Sequence, residues 1–275
     1  MGIFDGILLC TDLDGTLLGS DRRVSDENVR AIEYFKDEGG IFTFITGRMP
    51  YYSASIHDMV RANAPFGCVN GGGVYDNVRE CYVWKQPMQD DPMEIVRLID
   101  ERIAGVGIQV NTFDRVYFCR ENSVMESFRQ VTGVDNLIRG YDEIDEPIAK
   151  VIFGCPDGVG ISEIEEIFRS HPMSDRFDYI RSELTLCEIL PKGVEKGVAL
   201  TKLAEYLNVD IKRTVAIGDY NNDISMLKAA GVGIAVANAC PEAKAAADIV
   251  TVSNDENAVA RVIYDIAENK IKLVK

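Results

Sequence analysis

The sequence has few basic residues and no long apolar run. It holds 29 Lys and Arg against 44 Asp and Glu, which gives a formal net charge of -15 at pH 7. Such an acidic protein repels nucleic acid and anionic membranes, and we expect neither as a partner. No stretch of 18 or more apolar residues occurs, so the sequence does not predict a membrane-spanning helix.

Histidine is scarce and cysteine is scattered, which argues against a structural zinc site. The two histidines are His57 and His171, and none of the seven cysteines forms a C-x-x-C pair. A chain of 275 residues buries a core without disulfides, so the scattered cysteines indicate reduced thiols. The N-terminus also lacks the pattern of a signal peptide, and together these features favour a cytoplasmic protein. The sequence carries no signal for an oligomeric state.

Apolar runs and helical patterns alternate over the first 60 residues. Residues 7–11 form a short apolar run, and a helical pattern follows Ser25, which is a good N-cap residue. Residues 41–45 form the next apolar run, and Pro50 suits the first turn of a second helix. The order strand, helix, strand, helix predicts a parallel sheet with right-handed crossovers.

The middle of the chain follows a different pattern. Residues 74–84 and 108–120 indicate two β-hairpins, whereas strands and helices alternate again towards the C-terminus. We therefore predict an α/β fold in which residues 1–83 and 191–275 form a Rossmann-like, doubly wound parallel sheet. An α+β domain is inserted into it at residues 84–190.

The first candidate site is Asp12-Leu13-Asp14-Gly15-Thr16, directly after the first predicted strand. Ligands of doubly wound sheets bind at the carboxyl ends of the strands. The carboxylates of Asp12 and Asp14 repel each other unless a cation lies between them, and Mg²⁺ with oxygen ligands is the obvious cation. An acidic loop that caps a helix is the alternative, but the preceding strand and the following Gly-Thr favour a site.

Two further segments carry groups that can bind phosphate. Thr46-Gly47-Arg48 follows the second strand and offers a hydroxyl, a backbone N–H and a guanidinium, although alone it also suits a plain loop. Lys196 begins a predicted helix, whereas the helix dipole favours cations at the opposite end. A phosphate-binding lysine would produce that conflict, and a solvated surface lysine is the alternative.

A fourth segment, Gly218-Asp219-Tyr220-Asn221-Asn222-Asp223, follows a strand predicted at residues 214–217. Asp219 and Asp223 can complete a metal site, or Asp219 or Asn222 can serve as a helix N-cap, and the two roles are compatible. All four segments follow apolar strands or begin helices. Their order is the one expected of a single shared active site.

In combination these motifs resemble those of the haloacid dehalogenase superfamily, in its Cof-type branch (subfamily IIB) with a C2-type α/β cap inserted after the second motif. The matching segments are Asp12 to Thr16, Thr46 to Arg48, Lys196 and Gly218 to Asp223, together with Val69-Asn70-Gly71-Gly72 before the cap. The resemblance spans nearly the whole chain. Ala237 stands where the family usually has Gly, and Asn257-Ala258 where Asp-Gly is usual, both outside the catalytic motifs.

The resemblance implies a Mg²⁺-dependent phosphatase that hydrolyses small phosphorylated metabolites, such as sugar phosphates or cofactor phosphates, through a phospho-aspartate. It implies Asp12 as the nucleophile and Asp14 as the general acid and then the base. The implied Mg²⁺ ligands are Asp12, the carbonyl of Asp14, Asp219 and Asp223. The implied phosphate contacts are Thr46, Gly47, Lys196 and Asn222. Arg48 is an implied substrate contact. The inserted domain would close over the site and select the substrate.

Two alternatives stay open at this point. A phosphosugar mutase shares the cap type, although its fourth motif differs from the one in this chain. A non-catalytic phosphate-binding module is the other alternative. It would need neither Asp14 as an acid nor an inserted domain of about a hundred residues, which is far longer than an ordinary loop.

Overall fold

The structure is a computed structural model that describes residues 2–156 and 158–273. The chain divides into two compact units: unit 1 comprises the chain up to Lys85 and from Glu195 onward, and unit 2 comprises Gln86–Val194. The predicted insert, residues 84–190, ends earlier than unit 2. The turn after the last strand of unit 2 is tied to that unit, because Gly193 N donates a hydrogen bond to Asp178 Oδ2 (2.6 Å). The role of this unit as a cap stays a prediction.

The elements follow one another in three blocks. Unit 1 begins with β1 (Leu8–Thr11), α1 (Asp26–Asp37), β2 (Ile41–Phe44), α2 (Pro50–Val60), β3 (Phe66–Cys68), β4 (Gly73–Asp76) and β5 (Cys81–Lys85). Unit 2 contains α3 (Met93–Arg102), β6 (Gly107–Thr112), β7 (Val116–Arg120), α4 (Ser123–Thr132), β8 (Leu137–Ile138), β9 (Ile148–Gly154), α5 (Val159–Ser170), β10 (Phe177–Arg181) and β11 (Leu186–Pro191). Unit 1 resumes with α6 (Lys196–Leu207), β12 (Thr214–Gly218), α7 (Ile224–Ala229), β13 (Val232–Ala235), α8 (Pro241–Ala246), β14 (Ile249–Val250) and α9 (Ala258–Ala267).

Five parallel strands form the main sheet of unit 1, in the order β14-β13-β12-β1-β2. All four residues of β1 are buried, as expected for a parallel sheet that is covered on both faces. The predicted α/β fold with a parallel sheet is confirmed. Because the strands are parallel, the carboxyl ends of β1, β2 and β12 lie at the same edge. A second sheet of unit 1, β3-β4-β5, is antiparallel.

Helix α1 shows how local sequence sets the boundaries of these elements. Ser25 Oγ accepts a hydrogen bond from Asn28 N (3.1 Å), and such an N-cap contributes about 1 kcal/mol to stability. The helix then buries Ala31, Ile32 and Phe35, which recur at helical spacing. Burying the Phe35 side chain contributes roughly 1.5–3 kcal/mol.

Unit 2 is built on one six-stranded sheet, in the order β10-β11-β9-β6-β7-β8. One face of this sheet packs against the apolar faces of α3 and α5, in a core that includes Val110, Val151 and Ile189. Strand residues alternate between faces, so the neighbours of these residues lie on the opposite side. That side carries four buried polar side chains, which define the polar face: Gln109, Asn111, Lys150 and Glu188. Within the described residues, no helix is long and apolar enough to cross a membrane.

Candidate active site

The segments singled out by the sequence lie at the carboxyl ends of the parallel strands of unit 1. Asp12 follows β1 directly, Thr46 follows β2 by two residues, and Asp219 follows β12 directly. Lys196 is the first residue of α6, as predicted. The structure therefore brings motifs that are far apart in the sequence to one edge of one sheet.

The centre of this site is a buried ammonium group between two carboxylates. Lys196 Nζ donates to Asp12 Oδ1 (2.6 Å) and to Asp223 Oδ1 (2.5 Å). The side chains of Lys196, Asp12 and Asp223 are 1%, 9% and 0% exposed, respectively. Lys196 begins its helix against the dipole preference because these two carboxylates hold its charge.

Asp219 and Asp223 are connected through the loop that contains them. Asp223 Oδ2 accepts hydrogen bonds from the backbone N–H groups of Asp219 (2.9 Å) and Tyr220 (3.0 Å). Thr16 Oγ1 donates to Asp219 Oδ1 (2.7 Å), which joins this loop to the one after β1. Gly15 has φ +80°, and a Cβ atom there would lie 2.6 Å from Asp219 Oδ2, so only glycine fits this close approach.

The charges in this cluster do not balance. Burial raises the pKa of Asp12 well above its usual range, Lys196 lowers it, and the carboxylates of Asp223 and Asp219 raise it further. Burial also raises the pKa of Asp219 to about 6. Burial lowers the pKa of Lys196, but Asp12 and Asp223 outweigh it, so that the pKa of Lys196 is raised and its charge is kept. One ammonium group cannot neutralise three ionised carboxylates, and a divalent cation would supply the missing charge.

The arrangement of the carboxylates fits such a cation. Asp12, Asp219 and Asp223 each offer an oxygen, and these oxygens lie within 4.8 Å of one another. A set of carboxylate oxygens is typical of Mg²⁺. Both oxygens of Asp223 already accept hydrogen bonds, so this residue is better suited to holding Lys196 and the Asp219 loop than to direct ligation. The carboxylate of Asp14 is not a member of this group, and the implied contact of its carbonyl with Mg²⁺ stays a prediction.

Asp14 instead forms an ion pair with Arg48. Arg48 Nε donates to Asp14 Oδ2 (2.9 Å) and Arg48 Nη2 donates to Asp14 Oδ1 (2.6 Å), which is the two-pronged geometry that guanidinium groups prefer. The two side chains are 30% and 57% exposed, in contrast to the buried Lys196 cluster. The sequence predicts both residues at the site but not their contact with each other.

The loop that contains Thr46 is held in place by residues 69–72, a segment for which the sequence predicts no role. Thr46 is buried, and its Oγ1 accepts from Arg48 N (3.2 Å) while its carbonyl accepts from Asn70 N (3.1 Å). Asn222 Nδ2 donates to Asn70 Oδ1 (3.2 Å), so Asn70 contacts Thr46 and Asn222, two of the four phosphate-binding candidates. The signal in the sequence is the run Asn70-Gly71-Gly72 directly after an apolar run, because such a run marks an unusual backbone turn.

A loop near the C-terminus also contacts the site. Asn238 Nδ2 donates to the carbonyl of Gly15 (2.8 Å), and Asn238 Oδ1 accepts from Asn254 N (2.9 Å). Asn238 follows Ala237, the position at which the sequence departs from the family pattern. The departure therefore lies beside the loop after β1 and not in the buried cluster.

Comparison with known proteins identifies the family. Residues 9–263 match the family described as haloacid dehalogenase-like hydrolase. The 5-amino-6-(5-phospho-D-ribitylamino)uracil phosphatase YitU of Bacillus subtilis (strain 168) is 28% identical over 267 residues, which cover 94% of this chain and 96% of that relative.

Solved structures share the fold. A haloacid dehalogenase-like hydrolase from Bacteroides thetaiotaomicron has a TM-score of 0.82 at 25% identity, over 94% of this chain and 99% of its own. The HAD subclass IIB sugar phosphatase BT4131 has a TM-score of 0.83 at 21% identity, over 95% of this chain and 99% of its own, and that likeness shows the fold alone. The alternatives of a mutase and of a non-catalytic module are not favoured by these relatives. The chain belongs to the haloacid dehalogenase-like hydrolases, in the Cof-type branch, and it is a phosphatase of that family.

Proposed function

We propose that this phosphatase is Mg²⁺-dependent and hydrolyses small phosphate monoesters, such as sugar phosphates or cofactor phosphates, through a phospho-aspartate at Asp12. The observation that carries the proposal is the buried contact of Lys196 Nζ with Asp12 Oδ1 (2.6 Å), in a cluster of three carboxylates. A nucleophilic carboxylate must be ionised and held in place, and a neighbouring ammonium group favours the ionised form and fixes its position.

The first half of the reaction transfers the phosphoryl group to the enzyme. A carboxylate oxygen of Asp12 attacks phosphorus, and the bond from phosphorus to the ester oxygen breaks. The departing oxygen takes a proton from the carboxyl group of Asp14, which acts as the general acid. The products are the free alcohol and a phosphorylated Asp12.

The second half regenerates the enzyme. The carboxylate of Asp14 takes a proton from water, and the water oxygen attacks the phosphorus of phosphorylated Asp12. The bond from phosphorus to the Asp12 oxygen breaks, which releases inorganic phosphate. Asp14 thus returns to the protonated state that the first half requires, which it reaches only after its ion pair with Arg48 has opened.

Four groups of unit 1 would hold the phosphoryl oxygens. Lys196 supplies a fixed positive charge, Thr46 a hydroxyl group, Gly47 a backbone N–H and Asn222 an amide N–H. Donors that are already positioned stabilise the charge that develops in the transition state without further reorganisation. Arg48 would contact the leaving group after it releases Asp14.

Mg²⁺ would be held by Asp12 and Asp219, with Asp223 in support and the carbonyl of Asp14 as an additional ligand. When bound, it neutralises negative charge on the carboxylates and on the phosphoryl group. The acidic chain as a whole repels an anionic substrate, so the attraction must come from Mg²⁺, Lys196 and Arg48.

Unit 2 would select the substrate, and its polar face is the candidate surface. Lys150 Nζ donates to Glu188 Oε2 (2.8 Å), and Gln109 Nε2 donates to Asn111 Oδ1 (2.8 Å). Within the described residues, Gln109 Oε1 and Asn111 Nδ2 are buried without a hydrogen-bond partner, at a cost of about 1–3 kcal/mol each.

These two amides leave one acceptor and one donor unused, and a hydroxyl group can donate to the first or accept from the second. We therefore expect an alcohol part that carries several hydroxyl groups. The relative YitU is named for a substrate with a phosphorylated ribitylamino group, which has this chemistry.

The test is phosphate release from a panel of sugar, nucleotide and cofactor phosphates and phenyl phosphate, with Mg²⁺ or with EDTA. We expect metal-dependent release that is faster from hydroxylated esters than from phenyl phosphate and is abolished in Asp12→Asn. Thermal unfolding serves as the control: if Asp12→Asn is as well folded as wild type, its loss of phosphate release is due to the missing carboxylate. Release that persists in EDTA or in Asp12→Asn would contradict the proposed mechanism.

A further inference from the structure

Two adjacent residues after β3 adopt a backbone conformation that side chains disfavour. Val69 has φ +54° and Asn70 has φ +52°, both in the left-handed region. Asparagine tolerates this region, whereas a β-branched residue such as valine rarely enters it. Strained conformations persist where the surrounding structure holds them, and they cluster at functional sites.

The contacts that hold this segment begin with the loop of Thr46. Val69 N donates to the carbonyl of Arg48 (3.0 Å), and Asn70 N donates to the carbonyl of Thr46 (3.1 Å). A Cβ atom at Gly47 would lie 2.7 Å from Asn70 Oδ1, so the side chain of Asn70 packs directly on the backbone of this loop. Asn70 itself is 4% exposed.

The same segment contacts the other two loops that carry phosphate-binding candidates. Asn70 Oδ1 accepts from Asn222 Nδ2 (3.2 Å). Gly71 has φ +98°, and a Cβ atom there would lie 2.0 Å from the carbonyl of Glu195 and 2.8 Å from Lys196 N. The turn at Asn70 therefore lies against the Thr46 loop, the start of α6 and the loop of Asn222.

We infer that Asn70 is a positioning residue that sets the spacing and the amide orientation of the phosphate-binding groups, an inference that rests on the proposed function. The side-chain oxygen of Asn70 accepts a hydrogen bond from one N–H of the Asn222 amide. This contact fixes the orientation of that amide and leaves its second N–H to bind a phosphate oxygen. Without Asn70, the Asn222 amide can turn its oxygen towards the anion, which repels it. The backbone N–H of Asn70 meanwhile anchors the Thr46 loop.

A turn-forming role alone would also explain an asparagine at this position. Glycine separates the two roles, because Asn70→Gly keeps the left-handed turn and removes the amide. If the amide positions Asn222, we expect Asn70→Gly to weaken binding of inorganic phosphate and to raise KM for a phosphate ester, each by about tenfold. The matched control is Asn208→Gly, which makes the same change at the left-handed C-cap of α6 (φ +54°).

The experiment measures phosphate binding by calorimetry with Mg²⁺ present, together with kcat and KM, for wild type, Asn70→Gly, Asn222→Ala and the double variant. Asn70 acts through Asn222 if the double variant binds phosphate no more weakly than Asn222→Ala. Wild-type binding in Asn70→Gly, additive losses in the double variant, or an equal loss in Asn208→Gly would overturn the inference. A wild type that binds phosphate but hydrolyses no ester would sink the proposed function, and the binding data would still decide the role of Asn70.

Discussion

The site in unit 1 has a buried half and an exposed half. Lys196, Asp12 and Asp223 form the buried half, with side chains no more than 9% exposed. Arg48 and Asp14 form the exposed half, with side chains 30% and 57% exposed. Both halves are ion pairs with distances of 2.9 Å or less, so burial is the main difference between them.

Burial decides what each half can do. Buried charges are weakly screened and costly to leave unpaired, so the Lys196 cluster is costly to disturb. An exposed ion pair contributes about 0–1 kcal/mol, so Arg48 can release Asp14 readily. A nucleophile benefits from being fixed, whereas an acid that later acts as a base must reach first the leaving group and then water. The two halves suit these two tasks.

The largest expected effect comes from breaking the buried half. Lys196→Met removes the positive charge and leaves Asp12 and Asp223 facing each other. We expect the free energy of unfolding to fall by about 3–5 kcal/mol, and phosphate release to fall by on the order of 10³-fold, because the transition state loses its fixed cation. Urea unfolding and initial rates with Mg²⁺ measure the two effects.

The control for this variant is Lys202→Met, on the same helix. Lys202 pairs with Glu205 at the surface, where the side chains are 37% and 60% exposed. We expect its loss to change the free energy of unfolding by about 0.5 kcal/mol or less. If Lys196→Met were as stable and as active as Lys202→Met, the buried half would not have the role assigned to it.

Breaking the exposed half should separate activity from stability. Asp14→Asn removes the proposed general acid, so we expect kcat to fall by about 10²–10⁴-fold. The free energy of unfolding should change by no more than about 1 kcal/mol, because the lost ion pair is exposed. Steady-state kinetics and urea unfolding of the same sample give both values. A stability loss as large as that of Lys196→Met would remove the distinction between the two halves.

The smallest expected effect is a dependence of Mg²⁺ stabilisation on pH. Burial raises the pKa of Asp219 to about 6 from 3.8. The pKa of Asp219 is therefore higher in the folded protein than in the unfolded chain, and its protonation stabilises the fold. This stabilisation is fully present below the unfolded pKa and is lost as pH rises through about 6. In the proposed site, Mg²⁺ would bind the ionised carboxylate of Asp219 and oppose that loss, so we expect the gain in Tm from Mg²⁺ over EDTA to grow between about pH 5 and about pH 7.

The control for the pH experiment is Asp219→Asn, which cannot ionise at this position. We expect its gain in Tm from Mg²⁺ to be smaller and flatter across the same pH range. A gain that is equally large at every pH in wild type would show that Asp219 does not take up Mg²⁺ in its ionised form.

The strands that carry the site could be predicted because their signals are local. The strands β1, β2 and β12 are short apolar runs followed by polar residues, and parallel strands bring their carboxyl ends to one edge. The start of α6 at Lys196 could also be predicted from local sequence. Those rules place Asp12, Thr46 and Asp219 at the same edge without any tertiary information.

Contacts chosen by tertiary structure could not be predicted. The start of α7 is one example: residues Asn221–Asp223 form a 3-10 turn, and the helix begins only at Ile224. The reason is that the Asp223 side chain accepts the N–H groups of Asp219 and Tyr220 and holds Lys196, which a helical pattern does not reveal. The Arg48–Asp14 pair and the Asn70–Asn222 contact likewise join loops that are far apart in the sequence.

In the proposed mechanism, the phosphoryl group passes through Asp12. The most direct measurement is rapid acid quenching of wild type during turnover of a phosphate ester, followed by peptide mass spectrometry. We expect one phosphate on the peptide that contains Asp12 and none on that peptide in Asp12→Asn. Steady turnover without any phosphorylated peptide, or phosphate on a different residue, would contradict it.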